Sequence, residues 1–408
     1  MTPIDPARGV EAANIRSLWR RLSRDRVAAA GLWMLLILLL SAIYAPLIAS
    51  GAPYFLFVPE AAAGSGFGAL PSGWSFPLFS GLFDRHQFQS GVDLFYNGLL
   101  VASPVLLGLL CFRRARRRIW LPLLIWLGLA ALLAPVLVHG EPSRDYRRKL
   151  DRLSDQGHAV RALFPPVPYS FTATDVFRTV EAPSSAHLLG TDRAGRDVLA
   201  RLLFGARMSL SIGLVAVSIY ILIGVVLGAL AGYLRGWVEA LILRFVEVVA
   251  CFPSFLLVMT LIALVRERSI IHIMIVIGLT EWPTVARLVR AEFLRQAELD
   301  YSQAARALGL SRLRIIFRHI LPNALAPVMV TAAFGVAGAI LLESGLSFLN
   351  LGDATVSSWG QVLRAGRETG ELHLILAPGL LILISVTMMN LVAEGLQDAL
   401  DPKLDHIR

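Results

Sequence analysis

Residues 300–323 read DYSQAARALGLSRLRIIFRHILPN, a compact polar stretch set between segments hydrophobic enough to cross a bilayer. Asp300 is placed to cap a helix, and Gln303, three residues on, to return a side-chain hydrogen bond, the reciprocal pattern of a capping box. Gly309 tolerates a left-handed backbone and ends that helix after about two turns. Ser311 then caps a second helix, and Pro322 sits where that helix stops or turns into the next segment. The spacing predicts two short helices at an angle. Ala304, Ala305 and Gly309 give the first a small-residue face on which another protein's backbone can lie close, and Arg306, Arg312, Arg314 and Arg318 surround it with positive charge. The plain alternative is a polar loop that only keeps its flanking helices soluble.

Outward from this stretch the chain is strongly apolar. Its 408 residues are 56% hydrophobic, with a mean hydropathy of +0.65, and they contain several uninterrupted apolar runs of about 20 residues, the length that spans a bilayer. The composition is that of a polytopic membrane protein. A formal net charge of +9 suggests nucleic acid for a soluble chain; here the arginines collect beside apolar spans, and the positive-inside rule accounts for them without a nucleic-acid partner. Cys111 and Cys251 sit in apolar runs with no Cys/His cluster nearby, so neither a disulfide framework nor a metal site is implied. The only lysines are Lys149 and Lys403, and neither follows a glycine. The Gly-Lys-Ser/Thr of a phosphate-binding loop therefore does not exist in this chain, and any ATP hydrolysis belongs to another polypeptide.

Arg16, Arg20, Arg21, Arg24 and Arg26 precede the first span and place segment 1–26 in the cytoplasm, with residues 27–49 as an uncleaved transmembrane anchor. Residues 50–93 carry almost no basic groups but many aromatics, including Phe55, Phe57, Trp74, Phe76 and Phe79, which suits a periplasmic loop near the membrane surface. Residues 94–138 form an additional hairpin of two spans joined by the cationic turn Arg113–Arg118; topological anchoring explains that turn, with binding of anionic headgroups as the sharper alternative. Residues 139–207 are a long polar segment assigned to the periplasm, since long loops cross largely regardless of charge. Within it Ser143 to Gln156 suit a helix with Tyr146, Leu150 and Leu153 on one face, and Phe164 to Pro168 suit extended chain. The transport core, 208–395, reads as five spans, roughly 208–230, 244–265, 270–289, 324–342 and 372–392. Eight crossings from a cytoplasmic start leave the polar loop 291–322 and the tail 396–408 on the cytoplasmic side.

Pro253 and Pro283 weaken backbone bonding inside two of these spans, as static kinks or as hinges. Glu281, Glu343, Asn390 and Glu394 are the polar groups most worth attention, because a carboxylate inside lipid is costly unless it faces the bundle interior or a water-filled cavity. Glu343 and Glu394 suit interfaces. Glu281 and Asn390 are the candidates for lining a passage, against the alternative that they join helix to helix. His272 and His373 are single histidines near span ends and read as packing residues.

At Gln303-Ala304-Ala305, Gly309 and Leu321-Pro322 the chain resembles the membrane-spanning permeases of ABC importers, whose cytoplasmic EAA loop carries Glu-Ala-Ala, a glycine and a later Leu-Pro. Arg318-His319-Ile320-Leu321-Pro322-Asn323 looks like the dipeptide and oligopeptide branch of that family. So do Leu189-Gly190-Thr191-Asp192 with Gly195-Arg196-Asp197, the run Gly205 to Leu210, the run Glu343 to Gly352 with Ser358-Trp359-Gly360, and the closing residues Asp398 to Leu404. The resemblance covers the first span and then residues 187–404 almost continuously. It implies an all-α bundle of about eight transmembrane helices around a type I, methionine-importer-like permease core in the bacterial inner membrane. It implies a second permease chain, two ATP-binding subunits that hold the ATP, a periplasmic substrate-binding protein, and no cofactor or metal bound by this chain. Gln303, Ala304, Ala305, Arg306, Gly309, Leu310 and Arg314 are then the residues that meet the ATPase, and docking is favoured over the plain loop. Gln303 departs from the family's Glu and removes one charge from that contact. The additional hairpin also departs from the six-span pattern, without changing the side on which later residues lie.

Two other classes have less support. A secondary transporter would show paired charges or broken helices in two repeated halves, and no such symmetry is visible in the sequence. A membrane enzyme would need a clustered nucleophile, acid-base pair or metal set near one face. Peptides are the implied cargo, with nickel complexes, peptide antibiotics and murein fragments as alternatives within the family.

Overall fold

The computed structural model describes Leu22 and residues 25–59, 73–111, 120–138, 146–155, 158 and 160–400. The expected arginines Arg16 to Arg24, the Arg113–Arg118 turn and the residues from Asp401 onward lie outside the described residues. Helices dominate: α1 Arg26–Ile43, α2 Gly91–Cys111, α3 Trp120–Val136, α4 Tyr146–Asp155, α5 Val198–Leu234, α6 Gly236–Ala250, α7 Ser254–Leu264, α8 Ile270–Ala297, α9 Asp300–Ala307, α10 Arg312–Ile315, α11 Leu321–Phe348, α12 Trp359–Thr369 and α13 Leu372–Leu400. Among the described residues six helical stretches are long and apolar enough to cross a membrane, namely α1, α2, α5, α8, Arg312–Phe348 and α13; the bent pair α6 and α7 makes a seventh. Helix α3 is apolar but has 17 residues, the lower limit of roughly 17–25 for a span. Each of the eight expected spans therefore corresponds to an apolar helical segment.

Two compact units are formed by the described parts of Met1–Leu36, Leu210–Gly352 and Ile382–Arg408, and of Ile37–Ser209 and Asp353–Leu381. In the first, α5 packs on α8 through a stripe of glycines. A β-carbon on Gly224 would come 2.6 Å from Val285 Cβ, one on Gly228 2.6 Å from the Ala286 carbonyl oxygen, and one on Gly232 2.7 Å from Phe293 Cβ. Lipid tails are as apolar as leucine, so close backbone approach and van der Waals packing hold such helices together. This Gly-x-x-x-Gly-x-x-x-Gly spacing lies open in the sequence but takes no part in the expectations above. Gly31 of α1 likewise sits against α13, 3.0 Å from the Met388 carbonyl oxygen for an added β-carbon.

Pro253 produces more than a kink. It lacks the N–H that would continue the helix, and α6 and α7 meet at 82° across Cys251–Pro253. Pro283, by contrast, lies within an uninterrupted α8.

The second unit holds α2 and α3 together by close approach of Gly98 to Ala130, where a β-carbon would lie 2.6 Å from the carbonyl oxygen. The Trp126 indole N–H donates to the Leu99 carbonyl at 2.9 Å. Arg207 is fully buried; its Nε donates to the Ala42 carbonyl at 2.7 Å and one terminal nitrogen reaches Asp93 at 3.4 Å. The guanidinium thereby satisfies a carbonyl at the end of α1, where helical partners run out. The described parts of the loop before α2 and of the long segment before α5 are mostly irregular and contribute three short strands. β1 Phe55–Val58 lies between β2 Gly73–Ser75 and β3 Arg161–Leu163, antiparallel to both. Leu56 and Val58 face α4, whose Leu150, Tyr146 and Leu153 cover them, the face expected from the helical spacing.

The LGTD and GRD motifs build a closed knot rather than an exposed site. Asp192 accepts from the amides of Ala194 at 2.8 Å and Arg196 at 3.0 Å, and from the side chains of Arg196 at 2.8 Å and Arg201 at 2.5 Å. Burial alone would raise its pKa; Arg201, Arg196 and the two amides overcome this and hold the carboxyl below its ordinary value. His187 Nδ1 lies 2.8 Å from Asp197. Trp359 is fully buried and donates to the Leu202 carbonyl at 3.0 Å, so the Ser358-Trp359-Gly360 motif packs on the start of α5.

Candidate functional site

The polar stretch forms the expected first helix, but its start is built differently. Leu299, not Asp300, occupies the N-cap position, and no side chain caps it. Asp300 is already the first helical residue, where its charge complements the helix dipole. Gln303 points back further than a capping box requires, donating from Nε2 to the Glu298 carbonyl at 3.0 Å. The end of the helix follows the sequence reading closely. Gly309 has φ of 71°, its N–H donates to the Arg306 carbonyl at 2.9 Å, and the Leu310 N–H donates to the Ala305 carbonyl at 3.2 Å. These paired bonds make a Schellman motif, which satisfies carbonyls left open at a helix end.

The second helix does not stop at Pro322. Residue Ser311 takes the N-cap position, without a side-chain bond. α10 then passes through the π-helical turn Ile316–Ile320 into α11, with Pro322 in the first turn of that helix. Pro322 removes one backbone donor from a helix that runs on through it, next to the π-helical turn where the regular bonding pattern is already interrupted.

Burial sorts the expected contact residues. Gln303, Ala304, Arg306, Gly309 and Arg314 are exposed, and Leu310 is half-buried. Ala305, at 5% exposure, faces its own chain, as does Ser302. The helix must bury one face to be held in place, and residues 302 and 305, three apart, lie on it. Three large apolar residues missed by the sequence reading stand out instead, Leu308 at 81% exposure, Leu313 at 68% and Phe317 at 64%. Their signal was an apolar side chain recurring between arginines in an otherwise polar stretch. With Arg306, Arg312, Arg314 and Arg318 exposed along the same stretch, they form a ridge of exposed apolar side chains in a cationic frame.

The stretch is fixed to its own unit by several bonds. The Tyr301 hydroxyl donates to Gln296 Oε1 at 2.7 Å, Arg235 pairs with Glu298 at 2.6 Å, Arg290 pairs with Glu239, and the Arg306 guanidinium lies 6.0 Å from the Tyr233 ring centre.

Within the spans of the same unit, Glu281 is half-buried and lies beside Ser254, the first residue of α7. Its Oε1 is buried without a hydrogen-bond partner among the described residues. The Tyr220 hydroxyl occupies the place where a β-carbon of Gly335 would stand. Asn390 is half-buried on α13, and among the described residues no hydrogen bond joins it to Glu281. Glu343, expected at an interface, is fully buried and accepts from Ser347 at 2.7 Å. Glu394 is exposed.

A bundle of apolar helices interrupted by one glycine-ended polar helix with exposed apolar side chains defines a multi-pass membrane protein with an ordered polar loop between its spans. The chain belongs to the binding-protein-dependent transport system inner membrane components, whose family model matches residues 224–406; residues 15–62 match the N-terminal TM domain of oligopeptide transport permease C. It is 38% identical to the dipeptide transport system permease protein DppC of Alkalihalophilus pseudofirmus, over 60% of this chain and 81% of that one. It is 37% identical to a putative peptide transport system permease protein of Brucella abortus, over 74% and 93%, and 37% identical to the glutathione transport system permease protein GsiD of Pectobacterium atrosepticum, over 56% and 77%. Among solved structures, the inward-facing MetNI methionine ABC transporter aligns with a TM-score of 0.42 and 17% identity over 48% of this chain and 94% of that one. This is a family of transporter permeases, not of catalytic enzymes.

Proposed function

We propose that this chain forms half of the translocation pathway of an ATP-driven, binding-protein-dependent importer of peptides, and that residues 291–322 receive the motion of a separate ATPase. The observation that carries the proposal is the set of exposed apolar residues on either side of Gly309, Leu308 at the end of α9 and Leu313 and Phe317 on the helix that follows. Apolar side chains this exposed outside the spans are costly in water and are covered when a partner's cleft closes on them. The four arginines around them favour an acidic rim on that partner. Two ATP-binding subunits, a second permease chain of different sequence and a substrate-binding protein complete the assembly. With the termini and the 291–322 loop in the cytoplasm of a bacterial inner membrane, the ridge faces ATP. Glu281 and Asn390 line the passage, which opens alternately to the two sides as nucleotide and loaded binding protein favour different states.

Gly309→Asp tests the coupling. It inserts normally, disturbs the Schellman end and adds a like charge to any acidic rim, so substrate-stimulated ATPase activity of the reconstituted complex falls. Unchanged stimulation overturns the proposal. Attachment of a membrane-impermeant label to Arg306→Cys from outside intact cells would overturn the orientation.

The relative named for glutathione favours a second cargo reading within the same mechanism. Glutathione is itself a small peptide, and competition for uptake between it and dipeptides separates the two.

A further inference from the structure

The three-stranded sheet has two unlike faces. Side chains alternate along a strand, so Leu56 and Val58 of β1 turn to α4 while Phe55 and Phe57 turn the other way. The Trp74 ring of β2 lies against both, with centroids 5.8 Å from Phe55 and 5.1 Å from Phe57. The register adds the opposite residues of β3 to the same face, Leu163 across from Phe55 and Arg161 across from Phe57. Trp74 is 62% exposed and Leu163 50%. Beyond the strands the apolar surface continues through Phe76 and Phe79 toward α2. Residues 51–59 and 73–83 contain no charged residue at all. The layer on the opposite side is charged: Arg147, Asp151, Arg152 and Asp155 are exposed on α4.

We propose that this aromatic face is a seat in the headgroup layer of the bilayer, with the rings in the interfacial region, Arg161 directed to lipid phosphate and α4 turned to water. Tryptophan and phenylalanine beside an arginine are the side chains that settle at a membrane interface, where the rings shed water and a long cationic stem reaches the phosphates. The sheet is tied close to a span end. The Tyr54 hydroxyl, one residue before β1, donates to the Leu47 carbonyl, four residues beyond α1. Val167, beyond β3, donates to the Ile48 carbonyl at 3.0 Å and accepts from the Ser50 amide at 3.1 Å. On the other side the chain enters α2, whose Val101, Val105 and Leu107 are exposed as lipid-facing side chains are. The aromatic face therefore continues the surface already given to lipid, and its one cation matches a phosphate layer. A soluble partner's contact would carry a mixed polar rim, which residues 51–59 and 73–83 lack.

Nitroxide labels test this in the assembled transporter reconstituted in phospholipid nanodiscs, with Cys111 and Cys251 replaced by serine. Labels are placed singly at Trp74→Cys and Leu163→Cys, with Asp151→Cys on α4 as the aqueous reference. The ratio of collision with oxygen to collision with a water-soluble nickel chelate is expected to be several-fold higher at 74 and 163 than at 151. A ratio equal to that at 151 overturns the proposal in favour of a face open to water. An immobilised label reached by neither agent overturns it in favour of cover by protein, whether binding protein or second permease. Because Trp74→Cys removes the ring that holds the face together, the Leu163→Cys result stands even if the first variant is unstable.

Discussion

Ser254, the first residue after the 82° break between α6 and α7, lies beside Glu281 of α8. The free amides and dipole at a helix start favour an acidic side chain nearby, so Glu281 links the broken helix to an unbroken one. Ser254→Ala removes the hydroxyl beside Glu281. We expect a stability loss of about 1 kcal/mol and an uptake rate about tenfold lower in proteoliposomes, equivalent to roughly 1.4 kcal/mol in barrier. Rates within twofold of wild type for both Ser254→Ala and Glu281→Ala would remove these residues from the passage.

The exposed ridge leads to a binding prediction. Leu308→Asp or Phe317→Ser each withdraws an apolar side chain whose burial by a partner is worth about 2 kcal/mol. Co-purification of the ATPase subunits should drop at least tenfold while the amount of chain in the membrane stays constant. Leu279→Ser, a change to an equally apolar exposed residue within a span, should leave co-purification intact; equal loss from all three variants would indicate general misfolding.

Packing of α5 on α8 leaves no room at Gly228. Gly228→Val would force the two backbones apart or drive its side chain into the Ala286 carbonyl, at a cost of about 1–3 kcal/mol or more. A lowered melting temperature of the detergent-solubilised transporter checks this, and Gly338→Ala, where an added β-carbon meets nothing within 4 Å, serves as the neutral comparison.

The Asp192 knot predicts acid sensitivity. Its carboxyl is held below its ordinary value, so it contributes stability above the unfolded pKa of about 3.9 and loses it as pH falls through the lower folded value. Asp192→Asn leaves Arg201 buried beside a neutral amide and should cost roughly 3 kcal/mol at neutral pH. Thermal melts at a series of pH values should show that gap between wild type and variant narrowing below about pH 4. A gap independent of pH would mean that the ion pair is not its source.

Much of this structure was legible one residue at a time. Apolar length marked each span because bilayer thickness sets it, and Gly309 marked its helix end because few other residues take a φ of 71° without strain. The face of α4 followed from the positions of Tyr146, Leu150 and Leu153. What depended on distant neighbours did not emerge. Ala305 and Ala304 are the same residue type in one helix, and only packing decides that the former turns inward. Leu299 takes the capping position expected for Asp300, and Gln303 reaches back to the Glu298 carbonyl. The sheet pairs residues about a hundred positions apart, Phe57 with Arg161, and its strands of three or four residues leave too little alternation to read. Pro253 and Pro283 look alike in sequence, yet one divides a helix and the other does not.

The wide turn at Ile316–Ile320 has a geometric corollary. Five residues there close a loop that ordinary winding closes with four, so the winding upstream is out of phase with α11 by one residue, about 100° of rotation. Deleting a single residue from this turn would let the spiral run evenly from Arg312 to Phe348, and Leu313 and Phe317 would swing around the axis by that same angle. Where the ridge points is thus set by a counting mismatch inside the helix, independently of the side chains that compose it.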